Sequence, residues 1–306
     1  MLSRAELQAA RNAAVWVPQP GPQLEAFLSP ADTLLYGGAA GGGKTALAIG
    51  LSLTRHKRTL FVREEAVQLV PVRDEIATIL GTRDGYNGQD RIWRLPEERQ
   101  IQFGGIPNVG DENKFQGNPR DLLVIDEAAN VRKSQALFLM GWVRSADPEQ
   151  RCRTLLMSNP PTSAEGEWLI EYFAPWLDKT HANPAKPGEL RWFASLSGED
   201  VEVEGPGAIQ HNGETILPKS RTFIPSKVQD NRFYRDSGYV ATLQALPEPL
   251  RSQMLHGNFL AGREDDVWQV IPSRWVEEAQ ARWKEATSRP VMDAIGIDVA
   301  LSLIHI

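Results

Sequence analysis

The sequence predicts an α/β fold in which helices cover both faces of a mainly parallel sheet. Short apolar runs alternate with helical stretches between about residues 31 and 230. Three of these runs, at 33–36, 121–126 and 154–159, are followed by or end in glycine, carboxylate or amide residues. Continuous apolar runs are typical of strands buried in a parallel sheet, and ligands bind where such strands end.

A glycine-rich segment at residues 38–45 has the pattern G-x-x-x-x-G-K-T of a phosphate-binding P-loop. It follows the strand predicted at 33–36 and precedes an apolar helical stretch at 46–51, which is the context that the pattern requires. Backbone N–H groups of such a loop, and the N-terminus of the next helix, bind phosphate oxygens. The residues predicted to bind ATP are Gly38, Ala39, Ala40, Gly41, Gly42, Gly43, Lys44 and Thr45.

Two residues of this loop have specific predicted roles. Lys44 is expected to reach the β- and γ-phosphates of ATP, and Thr45 is expected to hold Mg²⁺. The alternative interpretation is a glycine-rich turn that matches the pattern by chance. A hydrolytic function also needs a group that activates water, which the loop itself does not supply.

The second apolar run, Asp121–Glu127, ends in two carboxylates. Asp126 is predicted to bind Mg²⁺. Glu127, one residue further on, is predicted to orient the attacking water and to accept its proton. The alternative is an ordinary strand that ends in an acidic turn. Because many small-molecule kinases have no use for a water-activating glutamate here, the acidic pair favours ATP hydrolysis.

The third apolar run ends in Ser158 and Asn159, before two prolines. Either polar side chain could contact the γ-phosphate or the attacking water and so distinguish ATP from ADP. An equally good interpretation is a strand that stops at Pro160-Pro161 with an asparagine turn. The residues alone leave both interpretations open.

The composition of the 306-residue chain excludes several functional classes. A single cysteine, Cys152, excludes a disulfide framework and a thiolate zinc cluster, and the five histidines lack ligand spacing. No apolar run approaches the length of a membrane span. The segment Met1–Val15 is charged and alanine-rich, which predicts an amphipathic helix rather than a signal peptide. We therefore expect a cytoplasmic protein.

The net charge of −6 argues against strong binding of DNA by the chain as a whole. A motor needs only weak, switchable phosphate contacts from a local patch. The densest basic run, Arg55–Arg58, is a candidate for such contacts. The alternative, which we favour at this stage, is a solvated helix end where cations suit the helix dipole.

The order of several short segments resembles the large terminase subunit of tailed bacteriophages and related viruses, which pairs an ATPase motor with a nuclease. The segments are Val17–Gln23, Leu60–Arg63, Lys114–Gly117, Leu156–Pro160, Phe223–Pro225, Asp230–Asn231, Met254–Phe259 and Ala294–Ala300. At Phe115 the family has a tyrosine, in a Tyr-Gln-Gly turn. The resemblance covers nearly the whole chain, and the order of the segments makes it specific.

This resemblance implies roles for residues that the motifs alone do not assign. Gln23, or else Gln19, would read the adenine base. Arg63, at the tip of the second core strand, would bind or sense the nucleotide within its own subunit. Asp298 would be the first metal-binding carboxylate of a ribonuclease-H-like nuclease.

The resemblance also implies partners and a location. The expected partners are double-stranded DNA, a portal protein and a small terminase subunit, with no membrane. The chain would form a homo-oligomeric ring on the procapsid, in the cytoplasm of the infected host cell. An arginine from the neighbouring subunit would then stabilise charge on the γ-phosphate, and Arg63, Arg120 and Arg144 are the candidates.

Four regions follow from these assignments. They are a P-loop ATPase domain at 1–230, a helical subdomain and linker at 231–288, the start of a nuclease domain at 289–300, and a tail at 301–306. Residues 179–220, rich in glycine, proline and glutamate, are expected to form an exposed excursion. The tail departs from the family and resembles a translated sequencing adapter. We therefore expect a truncated nuclease that does not cut DNA.

The function predicted from the sequence is an ATP-hydrolysing motor that translocates viral double-stranded DNA into a procapsid. A helicase-type ATPase shares the core chemistry and would differ by separating DNA strands. A small-molecule phosphotransferase is disfavoured by Glu127 and by the lack of an obvious lid for an acceptor. A nucleotide-switched assembly protein would bind ATP to change shape only.

Overall fold

A computed structural model describes residues 14–261, together with the isolated positions 275, 279 and 282. The chain divides into two compact units, Met1–Arg263 and Glu264–Ile306. The fold described below belongs to the first unit. The predicted regions 289–300 and 301–306, and with them Asp298, lie outside the described residues, as does most of the predicted linker.

Strands and helices alternate along the described chain. The strands are β1 (Thr33–Gly38), β2 (Arg58–Arg63), β3 (Tyr86–Asn87), β4 (Ile92–Arg94), β5 (Gln100–Gly105), β6 (Leu122–Asp126), β7 (Arg153–Ser158), β8 (Arg191–Leu196), β9 (Glu199–Val203), β10 (Ile209–His211), β11 (Glu214–Ile216) and β12 (Lys219–Ser226). The helices are α1 (Pro22–Leu28), α2 (Lys44–Thr54), α3 (Val70–Leu80), α4 (Lys133–Met140), α5 (Trp168–Tyr172), α6 (Ala174–Leu177), α7 (Tyr239–Gln244) and α8 (Leu250–His256). Short 3-10 turns connect several of these elements.

The main sheet has ten strands in the order β3-β4-β5-β2-β6-β7-β1-β12-β8-β9. The six strands from β5 to β12 in this order pair in parallel, whereas β3, β4, β8 and β9 extend the sheet in antiparallel fashion at its two sides. The predicted α/β fold with a mainly parallel sheet is confirmed. Because the parallel strands end at the same edge, the segments that follow β1, β6 and β7 lie side by side.

The stretch at 179–220 is only in part the exposed excursion that its composition suggested, because β10 and β11 form a separate two-stranded sheet whereas β8 and β9 join the main one. It contains β8 and β9, and β8 pairs with β12, so the hairpin continues the central sheet. Phe193 and Ala194 of β8 are buried, which explains why the segment stays with the core. Its glycines and prolines mark the turns between short strands.

The core lies on both faces of the sheet because the apolar side chains of each strand alternate. Leu34 and Tyr36 of β1 contact one layer, which also contains Leu47 of α2. Leu35, between them, contacts the opposite layer together with Phe173. Side chains alternate across a strand in this way, and each fully buried leucine contributes about 1.5–3 kcal/mol. The two layers fix the strand ends that carry the polar residues.

The chain after β12 returns to the phosphate-binding loop. Helices α7 and α8 contribute Leu243 and Leu255 to a small apolar cluster around Val228. The backbone N–H of Ala40 donates to the carbonyl of Met254 at 2.7 Å. The segment that the sequence assigned to a helical subdomain is therefore in direct contact with the loop.

Candidate nucleotide-binding site

The predicted phosphate-binding loop joins the end of β1 to the start of α2. The strand ends at Gly38 and the helix begins at Lys44. Gly43, directly before the helix, has a φ of 75°, a left-handed conformation that favours glycine. A Cβ atom here would lie 2.9 Å from Nε2 of Gln23. Both observations explain why glycine occupies the turn into the helix.

Three side chains hold consecutive carbonyl groups of the loop. Their donors are Asn231 Nδ2 to Gly41 O (2.8 Å), Tyr36 Oη to Gly42 O (3.1 Å) and Gln23 Nε2 to Gly43 O (3.0 Å). A trans peptide directs its C=O and the following N–H to opposite sides. Fixing these carbonyls therefore directs the N–H groups of residues 42–44 away from the three donors. The loop presents a row of donors, which is what a phosphate group requires.

The Lys44 ammonium group lies across the loop. Its Nζ donates to the backbone oxygen of Ala39 and to Oδ1 of Asn159, both at 2.7 Å. Burial lowers the pKa of Lys44 to about 8, and the carboxylates of Asp126 and Glu127 oppose this shift. Phosphate oxygens of a bound nucleotide could replace these neutral acceptors and restore full charge to the ammonium group.

Arg63, at the end of β2, is paired with Asp126, at the end of β6. Nε and Nη2 of Arg63 both donate to Oδ2 of Asp126, at 2.9 and 2.7 Å. Nη2 also lies 3.6 Å from Oε1 of Glu127. Burial raises the pKa of Asp126, while the charge and hydrogen bonds of Arg63 lower it. The structure therefore brings together three predicted site residues at the ends of two neighbouring strands.

Glu127 has an unusual backbone conformation. Its φ of 57° and ψ of 49° are left-handed, which for a residue other than glycine costs of order 1–3 kcal/mol. The side chain is 41% exposed, unlike that of Asp126. The turn after β6 therefore has a strained backbone at Glu127. It places the solvent-accessible carboxylate of Glu127 beside the buried carboxylate of Asp126. This is the arrangement expected when one carboxylate binds metal and the next activates water.

Ser158 and Asn159, at the end of β7, have different partners. The Ser158 hydroxyl accepts from the N–H of Ala129 at 3.2 Å and donates to the carbonyl of Asn159 at 2.6 Å. It therefore ties β7 to the turn that follows Glu127. Asn159 contacts the Lys44 ammonium group directly. Contact of either residue with the γ-phosphate stays a prediction.

The oxygen donors at this edge fit a magnesium ion that is shared with a nucleotide. Among the described residues, no group of three or more His, Cys, Asp or Glu side chains is arranged to hold a metal. Mg²⁺ typically takes one or two protein oxygens and completes its shell with phosphates and water. The Thr45 hydroxyl, at the start of α2, and the Asp126 carboxylate are the predicted members of that minimal set, and binding of Mg²⁺ by them stays a prediction.

A cleft of about 1010 Å³ opens beside the loop. It is lined by loop residues 41–46 and by Trp16, Gln19, Phe233 and Tyr234, among others. The last two side chains are 66% and 50% exposed. Exposed aromatic rings beside amide groups can stack on a base and bind its edge. The cleft therefore continues from the phosphate-binding loop to these aromatic and amide side chains, and it offers space for the base and ribose of a nucleotide.

The two glutamines proposed to read adenine are both engaged with the protein. Gln23 accepts the backbone N–H of Gln19 at 2.7 Å and donates to Gly43. Gln19 donates to Oδ1 of Asn231 at 3.2 Å and accepts from the backbone of Arg232 at 3.0 Å. These amides hold the loop in shape, and base reading by Gln23 stays a prediction.

Two candidates for an intersubunit arginine have different surroundings. Arg120 is 3% exposed, and its Nη2 donates to Phe115 O at 2.6 Å. Such burial does not fit a side chain that reaches into a neighbouring subunit. Arg144 lies over the ring of Trp142, 4.8 Å from its centroid.

The sequence did not predict three features of the site: Tyr36, Phe233 and the pairing of Asn231 with the loop. Local patterns do not show which distant segments of the chain meet.

No model of a known protein family matches the chain, and no curated protein matches it. Solved structures do match. The large terminase of a thermophilic bacteriophage superposes with a TM-score of 0.52 at 11% identity, over 78% of this chain and 53% of that chain. Its complex with ADP gives a TM-score of 0.51 at 12% identity, over 79% and 54%. The ATPase domain of the large terminase of Thermus phage P74-26 gives 0.46 at 12% identity, over 78% and 93%.

The first two likenesses, with TM-scores above 0.5, establish that the chain has the P-loop fold of a large terminase. The resemblance predicted from the order of the motifs is thus confirmed for the fold. The chain spans about half the length of these terminases. In the described part of the chain, no helix has the length and apolar composition needed to cross a membrane.

Proposed function

We propose that the chain is an ATP-hydrolysing motor subunit that translocates double-stranded DNA. The observation that carries this proposal lies at one edge of the sheet. There the glycine-rich loop, held by its carbonyl groups, carries Lys44, and the carboxylates of Asp126 and Glu127 are close enough to act on the charge of Lys44. The similarity of the fold to large terminases, one of them solved with ADP, supports the same function.

Each residue of the site has a role in this reaction. The N–H groups of residues 42–44 and the ammonium group of Lys44 bind the β- and γ-phosphates. Thr45 and Asp126 would hold Mg²⁺, which neutralises phosphate charge when it is bound with ATP. Glu127 accepts a proton from the attacking water, because its carboxylate is accessible whereas that of Asp126 is buried.

Arg63 has a role that depends on the nucleotide. Without nucleotide, Arg63 donates two hydrogen bonds to Oδ2 of Asp126, an oxygen that a metal ion would otherwise approach. A γ-phosphate with its Mg²⁺ would compete for both partners of this pair. Arg63 would then turn toward the phosphate, so that its position reports the nucleotide state within the same subunit.

A paired substitution tests the assignment of the base. Glu127→Gln is expected to keep Mg·ATP affinity and to lose turnover by about 10²–10⁴-fold, because an amide of the same size cannot accept a proton. Asp126→Asn is the matched control, since it is expected to weaken metal-dependent binding as well. Steady-state phosphate release and titration with a non-hydrolysable ATP analogue separate the two effects. Turnover by Glu127→Gln at the parent rate would refute the assignment.

The biological setting is part of the same proposal, and the likeness of the fold to large terminases supports it. The partners would be viral double-stranded DNA, a portal protein and a small terminase subunit. The motor would act as a homo-oligomeric ring on the procapsid, in the cytoplasm of the infected host cell. Asp298 would belong to a nuclease that cuts the packaged DNA. ATP turnover that rises with DNA and procapsids present would support this setting, and turnover indifferent to both would contradict it.

A further inference from the structure

Basic side chains gather at the edge of the sheet opposite to the nucleotide site. Parallel strands β2, β6 and β7 begin there. Strands β2 and β7 begin at Arg58 and Arg153, and β6 begins shortly after Arg120. The cationic residues are Arg55, Lys57, Arg58, Arg120, Arg144, Arg151 and Arg153, and we call this set the basic edge. This concentration contrasts with the net charge of −6 for the whole chain.

One cavity of about 280 Å³ lies at the basic edge beside α1 and the end of α2. Arg55, Arg151 and Arg153 line it, together with Glu149. Arg153 is 2% exposed, and its Nε has no hydrogen-bond partner. Burial, together with the charges of Arg151 and Arg55, lowers the pKa of Arg153 to about 9. A buried guanidinium with an unpaired N–H is costly unless an acceptor from outside completes it.

A second cavity of about 310 Å³ lies on the other face of the sheet. Arg58 and Arg120 line it with Gln100, Gln102 and Asn118, and no carboxylate is among its lining residues. The Nη1 atom of the buried Arg120 has no hydrogen-bond partner. Each cavity therefore combines a buried arginine, one of whose N–H-bearing atoms lacks an acceptor, with at least one exposed arginine.

The acidic groups near the basic edge are mostly engaged elsewhere. Both carboxylate oxygens of Asp121 accept backbone N–H groups, from Lys57 at 2.8 Å and Arg58 at 3.0 Å, and His56 lies 3.6 Å away. Asp32 accepts from the backbone and hydroxyl of Ser220. Asp147 pairs with Lys57 at 3.4 Å across exposed surface, where ion pairs are weak. Glu149 remains as an opposing charge at the first cavity.

We propose that the basic edge binds the phosphate backbone of double-stranded DNA. This inference rests on the proposed function. Thr59, Leu122 and Arg153 lie in register on neighbouring strands, which places the starts of β2 and β7 about 10 Å apart. Successive phosphates of one DNA strand recur within such a distance, so arginines of both strands can contact one stretch of DNA backbone. A single small anion could not occupy both cavities.

The test replaces exposed members of the basic edge and spares the buried ones. The triple variant Arg55→Gln, Arg58→Gln and Arg151→Gln keeps Arg120 and Arg153, which are buried. The charge-matched control is Arg83→Gln, Lys179→Gln and Lys186→Gln, which are remote in sequence from the basic edge. Fluorescence anisotropy of a labelled 30-base-pair duplex is measured without nucleotide, over a range of salt concentrations.

We expect the triple variant to bind the duplex roughly 10²-fold more weakly at 0.1 M salt, and its salt slope to fall by about two to three. The control variant should bind like the parent. Equal affinity of parent and triple variant, or no duplex binding by the parent, overturns the proposal. A second result would also overturn it. In that result inorganic phosphate stabilises the ADP-saturated parent but not the triple variant, while both proteins bind the duplex equally well. That result would mark a small-anion site.

Hydrolysis of Mg·ATP without DNA is measured on the same proteins. The triple variant is expected to keep the parent rate, because none of its substitutions lies at the nucleotide site. A parent that hydrolyses no ATP refutes the proposed function, whereas loss of duplex binding in the triple variant alone still supports the basic edge. The two proposals can therefore fail independently.

Discussion

Replacing Arg63 by glutamine removes two hydrogen bonds and a positive charge from the buried carboxylate of Asp126. Breaking one partner of a buried ion pair typically costs about 3–5 kcal/mol, because the other charge stays buried without compensation. The Arg63 side chain is 17% exposed, so water can partly replace it. We therefore expect a loss near the lower limit, about 3 kcal/mol of unfolding free energy at pH 8.

The loss is expected to depend on pH. Burial raises the pKa of Asp126 and Arg63 opposes that rise, so the substitution raises the pKa further. A carboxyl whose pKa is higher in the folded state favours folding when protonated. This contribution is lost as pH rises through the folded pKa. The variant should therefore be less destabilised at pH 5 than at pH 8.

Urea denaturation of parent and variant at both pH values measures this difference. The double variant Arg63→Gln, Asp126→Asn should recover part of the loss at pH 8, because it leaves no buried charge. Arg83→Gln breaks an exposed pair with Asp74 and serves as the control, with an expected effect below about 1 kcal/mol. Equal destabilisation at pH 5 and pH 8, with no recovery in the double variant, would show that Arg63 does not stabilise the Asp126 charge.

Two further predictions concern the loop and its strand. Because burial lowers the pKa of Lys44 to about 8, ATP binding at pH 8.5 should take up a proton, whereas at pH 6.5 Lys44 is already charged. Calorimetry in buffers of different ionisation enthalpy measures the uptake, and heats independent of the buffer at pH 8.5 would contradict it. Gly37→Ala should cost at least about 2 kcal/mol in urea denaturation, because its Cβ would lie 2.0 Å from the carbonyl oxygen of Ser158. Gly207→Ala, with nothing within 4 Å, is the control, and similar midpoints for the two variants would show that β1 and β7 can separate at no cost.

The sequence was sufficient to predict the parts of the site that depend on local patterns. The P-loop, the acidic end of β6 and the polar end of β7 are each contained in a few consecutive residues. The parallel sheet then brings them together, since parallel strands end at one edge. Arg63 was placed correctly at a strand end, but its pairing with Asp126 depends on β2 and β6 being neighbours.

Contacts between distant segments could not be predicted in the same way. Asn231 reaches Gly41 across 190 positions of the chain, and no local pattern records that meeting. Strands β8 and β9, within the stretch 179–220, were wrongly expected to leave the central sheet, because glycine and proline mark both flexible segments and hairpin turns. The pairing of β8 with β12 shows that the glycines and prolines around β8 belong to hairpin turns rather than to a flexible segment. The run Arg55–Arg58 directly follows the end of α2, with Arg55, Lys57 and Arg58 exposed as the favoured interpretation predicted. The sequence did not show that Arg151 and Arg153 line the same cavity as Arg55.

The strands that begin at the basic edge are the strands that end at the nucleotide site. Strand β2 runs from Arg58 to Arg63, and β7 runs from Arg153 to Ser158. At about 3.3 Å per residue, the two ends of each strand lie roughly 17 Å apart. A motor requires a coupling free energy between its two ligands, and such coupling is reciprocal. Whichever element carries it, the factor by which ATP changes duplex affinity equals the factor by which duplex changes ATP affinity. A sheet buried on both faces is a suitable carrier, because a packed core transmits displacement rather than absorbing it.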